Sequence, residues 1–89
     1  MMELHIAPGA FWDVVDDVTV VCDGVSGELY NLNRIAEFLW DRCDKTSVEA
    51  LTSSLQAAFP GEDPDRIADD VGRFVESMIA RNLLVTMKE

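Results

Sequence analysis

Between residues 11 and 32 the apolar positions come in short runs and alternations, the spacing of strands and not of helices. Phe11-Trp12-Asp13-Val14-Val15 is rich in aromatic and β-branched residues, and Asp16-Asp17 follows as a turn signal. Val18-Thr19-Val20-Val21-Cys22 reads as a second strand ended by Asp23-Gly24. The third leaves a turn at Gly27 and alternates, with Glu28, Tyr30 and Leu32 on one face and Leu29 and Asn31 on the other. Such short connections predict an antiparallel meander. Pro8-Gly9 marks its beginning, and Leu4-His5-Ile6 adds an extended N-terminal segment.

From Asn33 onward the period changes. Asn33 is a preferred N-cap, because its side-chain oxygen accepts from free amides of the first turn. The helix it starts runs from Arg34 to about Cys43, with Ile35, Leu39 and Cys43 on one face beside Ala36 and Trp40. Thr46-Ser47-Val48-Glu49 matches a capping box, with Thr46 as cap and Glu49 answering it. The second helix presents Val48, Leu51, Leu55 and Phe59 and stops at Pro60-Gly61. Asp63-Pro64, a cap followed by proline in the first turn, opens a third. That helix carries Ile67, Val71, Phe74, Val75, Met78 and Ile79, and Asn82 closes it in a left-handed cap so that Leu83 and Leu84 fold back onto the core. The expected fold is α+β, a three-stranded antiparallel sheet followed by three helices, with residues 1–89 as one domain.

Composition narrows the functions this fold can serve. Seventeen acids against seven bases give a formal charge of −10. Nucleic-acid binders carry basic stripes that neutralise phosphates, and no helix here offers one. The acidic field instead suits a solvated surface, or attracts basic partner segments. No apolar run is long enough for a membrane span and the first residues lack a signal-peptide pattern, so the cytoplasm is expected.

Catalytic chemistry is hard to assemble from these residues. The single histidine, His5, lies near a chain end, and Cys22 and Cys43 form no metal-ligand spacing with it. The cysteines read as two reduced, at least partly buried thiols, with a disulfide as the alternative. Asp69 and Asp70 are adjacent on a helix and point about 100° apart, so they are not a facing carboxylate pair. No cofactor is expected, and no enzyme activity. Gly72, inside the third helix, reads as tolerated, as a close helix contact, or as room for another backbone.

What remains is binding. A strand welded to a helix at the side of a small sheet can leave its outer backbone edge open, and an apolar helix beside that edge makes a groove wall. A peptide added as a fourth strand would bond to residues 28–32 and drop alternate side chains toward the wall.

The ordered set Ser26-Gly27-Glu28-Leu29-Tyr30-Asn31-Leu32-Asn33, the helix through Trp40, Thr46 through Leu55, and the helix ending Arg81-Asn82-Leu83-Leu84 resembles the PqqD family over residues 11–85. Members are recognition elements for ribosomally made, post-translationally modified peptides. The resemblance implies a winged helix-turn-helix-like fold that binds no DNA, captures the leader segment of a precursor peptide, and presents it to a modifying enzyme. Carried over by position, the backbone of Glu28, Leu29, Tyr30 and Asn31 is the strand edge. Val71, Phe74, Val75 and Met78 are candidates for the helix wall, some of them necessarily core. The freestanding lasso-peptide elements, which pair with a separate leader protease, look like the nearest subgroup. The pyrroloquinoline quinone pathway, with its radical SAM partner, is the alternative. Two rivals share the element order: a winged-helix transcription module, which the charge disfavours, and a module that forms homodimers through the same edge. A cysteine nucleophile at Cys22 or Cys43 has no base in predictable reach.

Overall fold

The computed structural model describes residues 2–88. In chain order it contains β1 (Met2–Ile6), β2 (Ala10–Val15), β3 (Val18–Asp23), β4 (Leu29–Asn31), α1 (Arg34–Trp40), α2 (Val48–Ala58), α3 (Pro64–Ala80) and β5 (Leu84–Lys88). The expected α+β arrangement is present: β2-β3-β4 form an antiparallel sheet, followed by three helices. A second sheet that the sequence did not announce joins β1 to β5, antiparallel, with Leu4 opposite Thr86 and His5 opposite Val85. His5 is therefore a strand residue, bonded to Glu3 at 2.6 Å.

Local chemistry explains most of the strand ends. Ala7 to Ala10 is a tight turn around Pro8-Gly9, closed by the Ala10 amide on the Ala7 carbonyl at 3.0 Å. Asp16 and Asp17 both take left-handed conformations, φ 51° and 65°, which is the two-residue hairpin turn that matches strand twist. After β3, the Asp23 carboxylate accepts the Val25 amide at 2.9 Å and organises the bend toward Gly27.

Two helix boundaries differ from the sequence expectation. α1 ends at Trp40, because Arg42 and Cys43 bond back to Leu39 and Trp40 in a tighter turn, and Lys45 adopts a left-handed φ of 58° that reverses the chain. Cys43 is still fully buried, beyond the helix end. The cap of α2 is Ser47, whose hydroxyl accepts from the Ala50 amide at 3.1 Å. Thr46 is engaged elsewhere: its backbone pairs with Leu4, which extends the β1 ladder. The helix begins at Val48, so Ser47, extended at φ −111° and ψ 163°, is the residue that stands at the cap position.

The other caps follow expectation. Asn33 accepts the Ala36 amide at 2.8 Å, and Asp63 accepts the Asp65 amide at 3.0 Å. At the end of α3, Asn82 sits at φ 60°, with its amide bonded to Ile79 and the Leu83 amide bonded to Met78. That double bond pattern is a Schellman motif, and it turns Leu83 and Leu84 into the core at 0% and 1% exposure. Trp40, Leu39, Leu51, Leu55 and Val71 complete the centre of that core. The sheet is locked to α1 by Glu37, whose carboxylate accepts both the Thr19 amide (3.2 Å) and the Thr19 hydroxyl (2.8 Å). Among the described residues no helix is long and apolar enough to cross a membrane.

Candidate functional site: the outer edge of β4 and the groove under α3

β4 pairs with β3 on one side only. The bonds on either side of it, Asp23 amide to Glu28 carbonyl and Leu32 amide to Thr19 carbonyl, fix which residues turn their backbone inward. In an antiparallel ladder this alternates, so residues 28, 30 and 32 address β3. Leu29 and Asn31 therefore direct their amides and carbonyls outward. Their side chains lie on the exposed sheet face, Leu29 at 65% exposure, so at these positions it is the backbone and not the side chain that is turned to the outer edge.

On the other face Tyr30 is half-buried and Leu32 is buried. The Tyr30 hydroxyl donates to the Glu28 carboxylate, and that bond is the main reason its pKa lies above the ordinary tyrosine value. The Arg81 guanidinium stacks 4.4 Å from the Tyr30 ring centre, which ties the end of α3 to β4.

Where β4 passes into α1, a cavity of about 420 Å³ opens between them and α3. Its apolar lining is Leu32, Ile35, Ala36, Leu39, Phe74 and Met78; its polar lining is Asn31 and Asn33 on one side and Asp70, Arg73, Ser77 and Arg81 on α3. A second hollow of about 300 Å³ adjoins it, sharing Ile35 and Asp70 and reaching Leu55 and Phe59 between α2 and α3.

The four helix residues named from the sequence divide into two pairs. Phe74 and Met78 line the cavity, whereas Val71 and Val75 do not and are buried at 0% and 6%. The stripe on α3 is thus mostly core, with one flank facing the groove. Ile35 and Ala36 of α1, and the α3 rim of Arg73, Ser77 and Arg81, were not named as site residues. The signal that finds the rim is the spacing 70, 73, 77, 81, one polar stripe beside the apolar one.

Nothing in this region assembles nucleophile, base and acid. The two cysteines are free and buried. Burial pushes the Cys43 thiol up to about 12, so at neutral pH it is an un-ionised donor to the Trp40 carbonyl at 3.2 Å and not a thiolate. Among the described residues no group of three or more His, Cys, Asp or Glu side chains could hold a metal ion.

Two solved structures share this fold closely. One is TbiB1 in complex with the TbiA(beta) leader peptide, with a TM-score of 0.82 and 16% identity over 96% of this chain and 99% of that one. The other is a lasso peptide synthetase B1 complexed with the leader peptide, with a TM-score of 0.81 and 23% identity over 93% and 98%. Comparison with curated protein sequences finds no match. A family model described as coenzyme PQQ synthesis protein D (PqqD) matches residues 18–84, from the start of β3 to the first residue of β5. That span takes in β4, all three helices and the whole groove, and the chain belongs to the PqqD family.

Proposed function

We propose that this chain is a non-catalytic binding protein that captures the leader segment of a ribosomally made precursor peptide. The leader adds as a strand to the outer edge of β4, and the complex presents the precursor to a modifying or processing enzyme in the cytoplasm. The observation that carries this reading is the pairing of outward backbone groups at Leu29 and Asn31 with an apolar cavity immediately beside them. An added strand gains main-chain bonds at the edge and places alternate side chains over Phe74 and Met78. Both fold neighbours carry a leader peptide, and the name of one, a lasso peptide synthetase B1, supports the lasso type, for which the partner enzyme would be a leader protease. The family's description supports the second reading, a role in making pyrroloquinoline quinone.

Titration with the synthetic leader of the precursor encoded beside this chain tests the proposal. The expected result is a Kd of about 1 μM or tighter, near −8 kcal/mol, with amide shifts concentrated at Leu29 and Asn31. A titration that gives neither heat nor shifts at those amides would overturn it.

A further inference from the structure

The rim of the groove is charged against the rest of the molecule. At −10 overall, the chain attracts basic peptides and repels acidic ones at long range. The α3 rim nevertheless presents two arginines, Arg73 and Arg81, with the Asp70 carboxylate, around the cavity that Phe74 and Met78 line, while Arg73 also borders a shallow hollow with Asp69 and Glu76. Both arginines are exposed, and among the described residues neither has a carboxylate within salt-bridge reach. Both guanidinium groups are therefore open to an anionic group that enters the cavity, in a chain with seventeen acids and seven bases. Glu28, the residue before β4, accepts the Tyr30 hydroxyl and forms no ion pair with either arginine. Arg81 is meanwhile held in place by the Tyr30 ring.

Resting on the strand-addition reading, we infer that the groove selects peptides whose apolar anchor is flanked, on the same face of the strand, by carboxylates. For a peptide strand that runs along α3, the spacing follows from element geometry. Arg73 and Arg81 are eight helical residues apart, about 12 Å along the axis, and four residues of an extended peptide cover about 13 Å. The pattern that fits is therefore acid, then an apolar residue two positions on, then acid two positions further. The apolar side chain lies over Phe74 and Met78, and each carboxylate meets one guanidinium, a geometry arginine favours. Specificity in this arrangement comes from local charge that opposes the global field, so basic peptides drawn to the molecule are rejected at the groove.

Three synthetic eleven-residue peptides test this. They share leucine at the centre and threonine at the alternate positions, and differ only in carrying glutamate, glutamine or lysine at the two sites flanking leucine on its own face. At low salt the glutamate peptide should bind roughly tenfold tighter than the glutamine peptide, and the lysine peptide weakest. Arg73→Glu should invert the order of the glutamate and lysine peptides while the Leu29 and Asn31 amides still shift. Equal binding of all three, or tightest binding of the lysine peptide, overturns the charge selectivity and leaves strand addition standing. If no peptide moves those amides, strand addition itself fails, and the charge inference fails with it.

Discussion

β2 and β4 flank the same central strand, and each turns an outer edge away from it. β2 is the longer, at six residues against three, and it carries the larger exposed side chains, Phe11, Trp12, Val14 and Val15. By length and apolarity it is the better template for another strand, yet two of its three outward amides are already engaged. The ladder leaves Ala10, Trp12 and Val14 facing outward on β2. The Ala10 amide is bonded to Ala7 at 3.0 Å, and the Val14 amide is bonded to the Asp13 carboxylate at 2.8 Å. β1 is treated similarly, its far side taken by the Thr46 bridge and by Asp44, which accepts the Ile6 amide. β4 has no such cover at Leu29 and Asn31, and it alone lies beside the groove. The difference teaches that an open edge is not a site by itself. Edges without side-chain pockets are blunted with carboxylates and turns, as natural sheets do to avoid association, and the edge with a pocket is left available.

Breaking the backbone chemistry at each edge tests that contrast most directly. Leu29→Pro removes an outward amide of β4, and leader affinity should fall by at least about tenfold, or 1.4 kcal/mol. Val14→Pro, the corresponding change on β2, should leave affinity unchanged; equal losses in titration would erase the distinction between the edges. Tyr30→Pro should act differently from both, because that amide faces β3, and should appear as a lowered Tm.

A smaller effect is expected from exposing the β2 edge. Asp13→Ala frees the Val14 amide, at a cost of about 0.5–1.5 kcal/mol for the lost hydrogen bond. Sedimentation at several concentrations should then show association that the parent chain and Asp13→Asn, which keeps an acceptor, do not. A monomer at all concentrations would mean the carboxylate is not what protects this edge.

Gly72 sharpens the comparison on α3. An added Cβ there meets nothing within 4 Å, so the residue is not required by any contact inside the chain. Gly72→Ala should stabilise the helix by about 0.5–1 kcal/mol, raising Tm by several degrees. Leader affinity should not change, since Gly72 does not line the groove. A loss of affinity would place a partner's backbone against this face of α3.

The least effect is expected from pH. The Val25 amide bond holds the Asp23 carboxyl below its ordinary value of 3.8. A depressed folded-state pKa stabilises the β3–β4 bend above the unfolded value and loses that contribution as pH falls through the folded one. Thermal unfolding between pH 5 and 3 should show a loss below about pH 4 that is reduced in Asp23→Asn. An identical acid profile in the variant would assign the effect to other carboxylates.

Much of this architecture is legible in the chain because it is set by neighbours in sequence. Asp16-Asp17 makes its hairpin turn, Asn33 and Asp63 cap their helices, and Asn82 closes α3, each through bonds spanning only a few residues. The β1–β5 sheet joins segments some eighty residues apart, and no local pattern encodes that pairing. The bridge between Thr46 and Leu4 is likewise long-range, and no local pattern encodes it.

The sequence by itself determined the three strands of the central sheet and the three helices, that β4 runs into α1 without a loop, and that α3 has one apolar stripe. Propensity, capping and periodicity act over a turn or two, so a single chain read in order carries them. Only the tertiary structure decided how that stripe divides, Val71 and Val75 into the core and Phe74 and Met78 toward the groove. It also decided that Leu29 and Asn31 turn outward, and that Arg73 and Arg81 arrive over an apolar floor. These depend on the rotation of a helix about its axis and on which side of a strand finds a partner, and both are fixed by contacts between residues that the sequence keeps far apart.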